Sequence, residues 1–374
     1  MMRILLATNY QPPHMGGIEF AGQSLKTCWE RDGHAVTWLT TDIPRCGRPS
    51  APDNIRFPAT NILEDHLQVN APQVAPFVYP QIVRLVKEHD VVNVHALTPA
   101  LSTVVLCAAM VLRKPTVVTQ HVAIIPFRSS FLSFIQKQFI CSMARLSVKR
   151  GALITFVSPA ARDFFVQTAG VPVERTILTP TGTDHSIYYF VGNEERERLR
   201  SKWALPNRFS ILFVGRLIEK KGLSLIRQVA ERCREVRFTL VGGGQIDPAT
   251  WGLPNVRVLP AVSNEELREL YGAHDLFLMP SYGEGWPAVV PQAMACGLAC
   301  LISEEVFEGH QKDADRFIVC RRDLETIVAK ITQAAEGRLP LLAERKALSD
   351  YSLHAWDWQR TARIYLDLFE KVKR

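Results

Sequence analysis

The chain has 374 residues, of which 47% are apolar and 22% are charged, with a formal net charge of +7. This length exceeds what one hydrophobic core usually serves, and the composition is that of a soluble globular protein, so we expect two domains. The opening MMRILLATNYQPPHMGG has an apolar run too short for a signal sequence or a membrane span, so we expect a cytoplasmic protein.

The cysteines and histidines do not form metal-ligand or disulfide patterns. The eight cysteines are scattered through apolar segments without a CxxC pair, which favours free thiols in a reducing compartment. The ten histidines show no HExxH or similar spacing. The sequence therefore predicts no metal site.

Short apolar runs alternate with helical stretches in the first half of the chain. This alternation predicts a parallel, doubly wound sheet. No GxGxxG follows the first run, so a nicotinamide dinucleotide is not expected there. The predicted strands are 3–8, 35–41, 91–97, 116–122 and 152–158, and the predicted helices are 18–31, 74–88, 100–112, 131–149 and 159–168.

One part of this half carries charge of a single sign. No acidic residue lies between Asp90 and Asp163, whereas eight lysines and arginines do. The segment PFRSSFLSFIQKQFICSMARLSVKR within it combines apolar and basic residues as a helix lying on an anionic membrane does. Packing of the helix on its own sheet is the alternative explanation. The apolar side chains are Phe127, Phe131, Leu132, Phe134, Ile135, Phe139 and Ile140.

Residues 179–208 are turn-rich and then charged, which indicates a domain junction. A second alternation follows and predicts a second doubly wound sheet. The chain ends in an amphipathic helical stretch with basic residues at its C-terminus. The predicted strands are 210–215, 237–242, 256–260, 275–280 and 298–303, and the predicted helices are 221–232, 263–272, 288–295 and 323–335.

Residues 278–297, LMPSYGEGWPAVVPQAMACG, combine a strand end, a turn and a helix start. Pro280 ends the strand, Gly283 and Gly285 permit a sharp turn, and Glu284 lies within it. Ligands of open α/β sheets bind at the carboxyl ends of strands, and a helix start favours an anion. An ordinary turn with a solvated glutamate is the alternative.

Several segments occur in an order typical of one family: NYQPPHMGGIE, VVTQH, PTGTDHSIY, VGRLIEKKGLSLI, VSNEELRELYGAHDLFLMPS and EGWPAVVPQAMACG. On these segments the chain resembles the retaining family-4 glycosyltransferases of GT-B fold over nearly its whole length. The resemblance implies an α/β fold of two Rossmann-like domains facing a central cleft. These are an acceptor-binding domain (1–183), a nucleotide-sugar-binding domain (184–352) and a C-terminal crossover helix (353–374) that returns to the first domain.

The resemblance assigns the donor site to the second domain. Arg216 and Lys221 would hold the diphosphate of a nucleotide sugar and neutralise the charge that grows on the leaving group. A pair of solvated charges at a helix start is the alternative, but the helix dipole disfavours cations there without an anion. Glu284 matches the first carboxylate of the family's E-x7-E motif beside the donor sugar, and Gly285 and Trp286 join it in the donor site.

The remaining assigned residues include one departure from the family. Gln292 stands where the second carboxylate of the motif grips the ribose, and its amide can hydrogen-bond there without the charge. Gly16 and Gly17 would let backbone approach the phosphates or the acceptor, with a plain turn as the alternative. His121, which precedes Val122 where the family has aspartate, matches the active-site histidine that binds donor hydroxyls or assists at the reacting face; a structural role is the alternative.

The implied activity is a retaining, metal-independent transfer of a hexosyl or N-acetylhexosaminyl unit from a nucleotide sugar, which we expect to be UDP-linked. The expected acceptor is a saccharide or lipid-linked saccharide in polysaccharide or glycoconjugate biosynthesis. We expect no cofactor and no nucleic acid partner, and a peripheral position on the anionic inner face of the cytoplasmic membrane. Two alternatives are a GT-B sugar-nucleotide epimerase or phosphorylase, and an inactive partner subunit that binds donor.

Overall fold

In a computed structural model, the chain divides into two compact units, Met1–Thr181 with Trp358–Arg374, and Gly182–Asp357. The domain limits proposed from the sequence, 183/184 and 352/353, lie within a few residues of these divisions. The structure describes residues 1–12, 17–43, 51–61, 72–97, 100–124, 129–205, 207–282, 286–308, 315–340 and 343–373.

The first unit alternates strands and helices. Its elements are β1 (Arg3–Ala7), α1 (Gly17–Arg31), β2 (Ala35–Thr41), β3 (Asn54–Phe57), β4 (Ala59–Thr60), β5 (Gln73–Val74), α2 (Tyr79–Glu88), β6 (Val91–His95), α3 (Leu101–Val111), β7 (Thr116–Gln120), α4 (Ser130–Lys149), β8 (Leu153–Phe156), α5 (Pro159–Ala169), β9 (Thr176–Leu178) and the C-terminal helix (Trp358–Lys373).

Seven strands of this unit form a parallel sheet in the order β3-β2-β1-β6-β7-β8-β9. α1 and the C-terminal helix share one hydrophobic cluster with the sheet. Within it, the Trp29 ring meets Tyr365 and Phe369 edge to face, and its indole N–H donates to the carbonyl of Ala362. The C-terminal helix is therefore part of the first unit's core, as predicted.

The second unit repeats the alternation. Its elements are α6 (Asn193–Lys202), β10 (Ser210–Val214), α7 (Leu223–Arg232), β11 (Arg237–Val241), β12 (Val256–Leu259), α8 (Asn264–Ala273), β13 (Leu276–Met279), α9 (Val289–Ala295), β14 (Ala299–Ser303), α10 (Glu304–Phe307), β15 (Ile318–Cys320), α11 (Leu324–Ala335) and α12 (Arg345–Ala355).

The second sheet is parallel in the order β12-β11-β10-β13-β14-β15. In each sheet the first strands of the chain are added on one side of the starting strand, and the later strands are added on its other side. The order therefore switches between β1 and β6 in the first sheet and between β10 and β13 in the second. At such a switch point the loops at the carboxyl ends of the strands diverge and leave a crevice for ligands. The prediction of two doubly wound parallel sheets is confirmed.

Helix α6 was not predicted, because it has almost no apolar stripe and buries only Leu199 and Arg200. Charge holds it instead. Arg196 and Arg200 both bind Asp275, just before β13, and the second of these contacts is 3.3 Å long. Asp275 also accepts hydrogen bonds from the backbone N–H and the hydroxyl of Ser210, at 2.8 and 2.7 Å. This ion cluster ties α6 to the starts of β10 and β13.

Candidate active site

The loop after β10 carries three cations, Arg216, Lys220 and Lys221, at the switch point of the second sheet. Arg216 is exposed, and Lys221 is half-buried in a single 3-10 turn, Glu219–Lys221, which ends at Gly222. Helix α7 begins only at Leu223. The helix predicted near 221–232 is present as Leu223–Arg232, and the turn and Gly222 come before its first residue.

The loop after β10 rests directly on the strand end of β13. The backbone N–H of Tyr282 donates to the carbonyl of Lys220 at 3.1 Å. Gly222 has a φ of 78°, and a Cβ there would lie 2.6 Å from the carbonyl oxygen of Pro280. Only glycine fits this contact. Lys221 is thus held beside the residues that precede Gly283; Gly283, Glu284 and Gly285, for which the sequence predicts a turn, lie outside the described residues.

A third loop, after β11, packs against the loop after β10. The N–H of Leu217 donates to the carbonyl of Gly243 at 2.9 Å. A Cβ at Gly242 or at Gly244 would lie 2.0 or 2.4 Å from a carbonyl oxygen of the loop after β10. These glycines were not among the residues predicted to form the site. The signal for them was three consecutive glycines at the end of a predicted strand.

Arg322, after β15, braces the same strand end. Its Nε donates to the carbonyl of Pro280 at 3.2 Å, and its guanidinium lies 4.4 Å from the centre of the Tyr282 ring. A further nitrogen contacts Glu305 at 3.3 Å. The backbone of residues 280–282 is therefore fixed by contacts from two neighbouring loops. Arg322 was not among the residues predicted to form the site.

Trp286 and Gln292 both contact the core of the second unit. The Trp286 ring meets that of Trp356 nearly at right angles, with centroids 5.9 Å apart. Gln292 is half-buried on α9, and its Oε1 lies 3.5 Å from the hydroxyl of Tyr271 on α8. Burial raises the pKa of Tyr271, so this hydroxyl stays protonated and can donate.

In the first unit, His121 follows β7 directly and pairs with a second histidine. Its Nε2 lies 3.1 Å from Nδ1 of His95, at the end of β6. Burial lowers the pKa of His121 to about 4, although Glu19 on α1 acts in the opposite direction. Burial and the neighbouring His121 also lower the pKa of His95 well below its usual value. Both imidazoles are therefore neutral at pH 7.

The histidine pair belongs to a buried polar network. His95 Nε2 lies 3.0 Å from Oδ1 of Asn93, which is also on β6. The amide nitrogen of Asn93 donates to the carbonyl of Val117 at 3.0 Å and to the hydroxyl of Thr119 at 3.1 Å. Thr119 in turn bonds the hydroxyl of Tyr365 on the C-terminal helix at 2.9 Å. The sequence assigned a candidate role to His121 but none to Asn93, His95 or Thr119.

The structure adds little to the role predicted for Gly16 and Gly17, the two loop glycines of the first unit. Gly16 lies outside the described residues. Gly17 begins α1 and is exposed, and a Cβ there would meet nothing within 4 Å, so sterics do not demand glycine at this position. Across the part of the chain that is described, no three His, Cys, Asp or Glu side chains are grouped to hold a metal ion.

Comparison with known proteins identifies the family. Residues 15–187 match "Glycosyltransferase Family 4", and residues 208–336 match "Glycosyl transferases group 1". The chain belongs to the family-4 glycosyltransferases. The present chain is similar to the crystal structure of HepE from Anabaena in complex with UDP. The TM-score is 0.73 and the sequence identity is 18%, over 99% of this chain and 100% of HepE. That likeness confirms the GT-B fold.

Two curated proteins are similar to this family-4 glycosyltransferase in sequence. The alpha-galactosylglucosyldiacylglycerol synthase of Streptococcus pneumoniae is 26% identical over 265 residues, which are 66% of each protein. The N,N'-diacetylbacillosaminyl-diphospho-undecaprenol alpha-1,3-N-acetylgalactosaminyltransferase of Campylobacter jejuni is 24% identical over 256 residues, again 66% of each. The chain spans about half to two thirds of the length of the curated relatives it matches.

Proposed function

We propose that this chain catalyses retaining, metal-independent transfer of a hexosyl or N-acetylhexosaminyl unit from a UDP-linked sugar to a saccharide or lipid-linked saccharide. The observation that carries this proposal is the position of Arg216 and Lys221. They lie on the loop after β10, which contacts the strand end of β13 at the switch point of the second sheet. Ligands of doubly wound sheets bind at that point, and two cations there suit a diphosphate.

In the proposed reaction, Arg216 and Lys221 bind the diphosphate and stabilise the charge that develops as it leaves. The bond between the anomeric carbon and the phosphate oxygen breaks and leaves an oxocarbenium-like centre beside Glu284. The acceptor hydroxyl forms the new bond on the same face, and its proton passes to the departing phosphate oxygen. No protein nucleophile and no metal ion takes part.

The names of the relatives support the choice of donor and acceptor. HepE was solved with UDP and with UDP-glucose, which makes a UDP-linked donor the natural first choice here. The two curated relatives are named for a diacylglycerol glycolipid and for a diphospho-undecaprenol saccharide, respectively. A lipid-linked acceptor is proposed for this chain on that basis.

Helix α4 supports a membrane-borne acceptor. Its buried residues beyond Gln136 all lie in its second half, from Ile140 to Ser147. In its first half Phe131, Phe134 and Ile135 are 70%, 58% and 47% exposed. These three residues have the i, i+3, i+4 spacing of one helix face. Packing on the sheet explains the second half of the helix, but not the exposed apolar face of the first half.

We propose that this face and the basic residues of the same helix rest on an anionic leaflet, so that the protein is peripheral on the inner face of the cytoplasmic membrane. None of the helices in the described ranges is long and apolar enough to cross a membrane. Electrostatic attraction contributes about 1 kcal/mol per basic residue near the surface and fades within a Debye length, so binding should be reversible and salt-sensitive.

The test of the transferase is turnover by the purified chain alone, with product stereochemistry read by NMR and EDTA present in one arm. Arg216→Ala and Lys221→Ala should each lower turnover by about 10²–10³, the effect of losing one preorganised electrostatic donor. Lys220→Ala, which removes an exposed cation from the same turn, is the matched control and should stay near wild type. Near-normal turnover of the Arg216 or Lys221 variant would disprove the diphosphate assignment.

Absence of any turnover by the wild-type chain, with retained UDP binding, would instead favour the inactive partner subunit. Formation of an epimerised nucleotide sugar without an acceptor would favour the epimerase. Inversion at the anomeric carbon, or complete loss of turnover in EDTA, would contradict the proposed mechanism.

The test of the membrane surface is co-sedimentation with liposomes. The protein should bind anionic liposomes at low salt, leave them at high salt and bind neutral liposomes poorly. The double variant Phe131→Ser, Phe134→Ser should lose binding, whereas Phe77→Ser, at a residue of the same unit that is 72% exposed, should keep it. Equal recovery on neutral and anionic liposomes, or on neither, would rule the surface out.

A further inference from the structure

The hydrogen bonds behind His121 have only one consistent direction. The carbonyl of Val117 can only accept, so the group of Asn93 that lies 3.0 Å from it must be the amide nitrogen. This assignment leaves the amide oxygen of Asn93 facing His95 Nε2, also at 3.0 Å. Since that oxygen can only accept, Nε2 of His95 must carry the proton.

The direction continues to the second ring. A neutral imidazole carries one N–H and one lone pair, so His95, protonated on Nε2, presents an unprotonated Nδ1. His121 Nε2, 3.1 Å away, must therefore donate to it. Because His121 is neutral as well, its own Nδ1 carries a lone pair. Among the residues that the structure describes, no hydrogen bond reaches this atom.

We propose that Asn93 and His95 are positioning residues that fix His121 as its Nε2–H tautomer and so present Nδ1 as a hydrogen-bond acceptor to a sugar hydroxyl. Only the identity of the ligand rests on the proposed function; the tautomer does not. The same atom would face a carboxylate or phosphate oxygen as a second acceptor. The site therefore selects a neutral hydroxyl at this position, which favours a hexose or N-acetylhexosamine over a uronic acid.

The opposite tautomer conflicts with the surrounding contacts. Protonating Nδ1 of His121 would leave lone pairs of His121 and His95 facing each other at 3.1 Å, unless His95 also changed its tautomer. That change would require Asn93 to rotate its amide and point its oxygen at the carbonyl of Val117. The rotation would lose hydrogen bonds in a fully buried place, where unpaired polar groups are unfavourable.

The charged group that faces His121 does not reverse this assignment. Glu19, on α1, raises the pKa of His121, but burial lowers this pKa by more than Glu19 raises it. Tyr365, on the C-terminal helix, directs its hydroxyl to Thr119 and Thr155, at 2.9 and 3.1 Å, not to either imidazole. The tautomer is therefore set by the strand residues of β6 and β7.

The test is NMR of ligand-free protein with ring-¹⁵N histidine at pH 7. The His121 signals are assigned by their loss in His121→Gln. We expect a protonated Nε2 and an unprotonated Nδ1 on His121, and the same tautomer on His95. A protonated Nδ1 on either ring, or a charged His121, would overturn the proposal.

Variants then identify the cause. His95→Leu and Asn93→Leu should each allow a measurable Nδ1–H population on His121. The first variant removes the Nδ1 acceptor of His95, and the second removes the amide oxygen that fixes the tautomer of His95. Thr119→Val is the matched control: it removes a buried hydroxyl from the same network but leaves Asn93 held by Val117, so the tautomer should not change. An unchanged tautomer in His95→Leu would overturn the role of His95. Since no step needs turnover, an inactive protein with the expected tautomer would refute the proposed function alone.

Discussion

Replacing Gly222 with alanine should separate two loops of the proposed donor site. A Cβ at this position would lie 2.6 Å from the carbonyl oxygen and 2.9 Å from the Cγ of Pro280, and real Cβ atoms essentially never come within 3.0 Å of such neighbours. Either the Lys221 turn or the end of β13 must move. Because the Pro280 carbonyl is also held by Arg322 at 3.2 Å, the movement disturbs the backbone of residues 280–282.

The magnitude follows from two effects. An alanine in the left-handed region costs about 1–2 kcal/mol, and inserting an atom into a packed site costs about 1–3 kcal/mol. We therefore expect the free energy of unfolding to fall by about 2–5 kcal/mol in Gly222→Ala. Gly252 is a matched control in the same unit, because its φ is 67° but a Cβ there would meet nothing within 4 Å. Gly252→Ala should show only the first effect.

The assay combines urea unfolding with steady-state kinetics. A shift of about 1 Å in a positioned group can cost about 10²-fold in rate, so kcat/KM for the donor should fall strongly in Gly222→Ala. Gly252→Ala should keep the kcat/KM of the wild type. Equal losses of stability in the two variants, together with normal kinetics of Gly222→Ala, would refute the close contact of the two loops.

Three further predictions concern the second unit. Gln292→Glu should keep or tighten nucleotide binding, measured by calorimetry, because a carboxylate gives a charge-assisted bond to ribose; weaker binding would show that Gln292 does not contact it. Burial lowers the pKa of His274 to about 4, so only the unfolded chain takes up its proton between about pH 6.5 and pH 4. Stability present above pH 6.5 is therefore lost as the pH falls through 4, by up to about 3 kcal/mol, and urea unfolding of His274→Gln should show a shallower pH dependence. Asp275→Ala should lower the free energy of unfolding by about 3 kcal/mol, because it leaves two partly buried arginines without their carboxylate; Glu235→Ala, at an exposed ion pair, should cost less than about 1 kcal/mol, and equal effects would contradict the role of the cluster.

The central strands were predictable because a strand buried on both faces reads as a short apolar run. Edge strands carry a weaker signal. Strands β9 and β15 have three residues each and lie at sheet edges, and none of the β9 residues is fully buried. Helix α6 escaped prediction for a different reason, since an ion cluster, not an apolar face, fixes it to the sheet.

Candidate site residues can be proposed from the sequence as positions along the chain, but their contacts cannot. The family motifs and the strand ends locate Arg216, Lys221 and His121, whereas the role of Gly222 depends on a carbonyl 58 residues further along the chain. Asn93 and His95 did leave a signal in VVNVHAL. Two polar residues at i and i+2 of a strand share one face, and on a strand predicted to be buried they require partners.

The two units fix their candidate residues by different means. In the first unit, polar side chains on the buried strands β6 and β7 hydrogen-bond one another and orient His121. In the second, β13 is wholly apolar, and backbone contacts at Gly222, Gly242 and Gly244 position the loop that carries the cations. The damaging substitutions should therefore differ in kind. Removing a hydrogen-bonding group should impair the first unit's site while leaving its backbone in place, whereas adding a single methyl group should impair the second by moving its backbone.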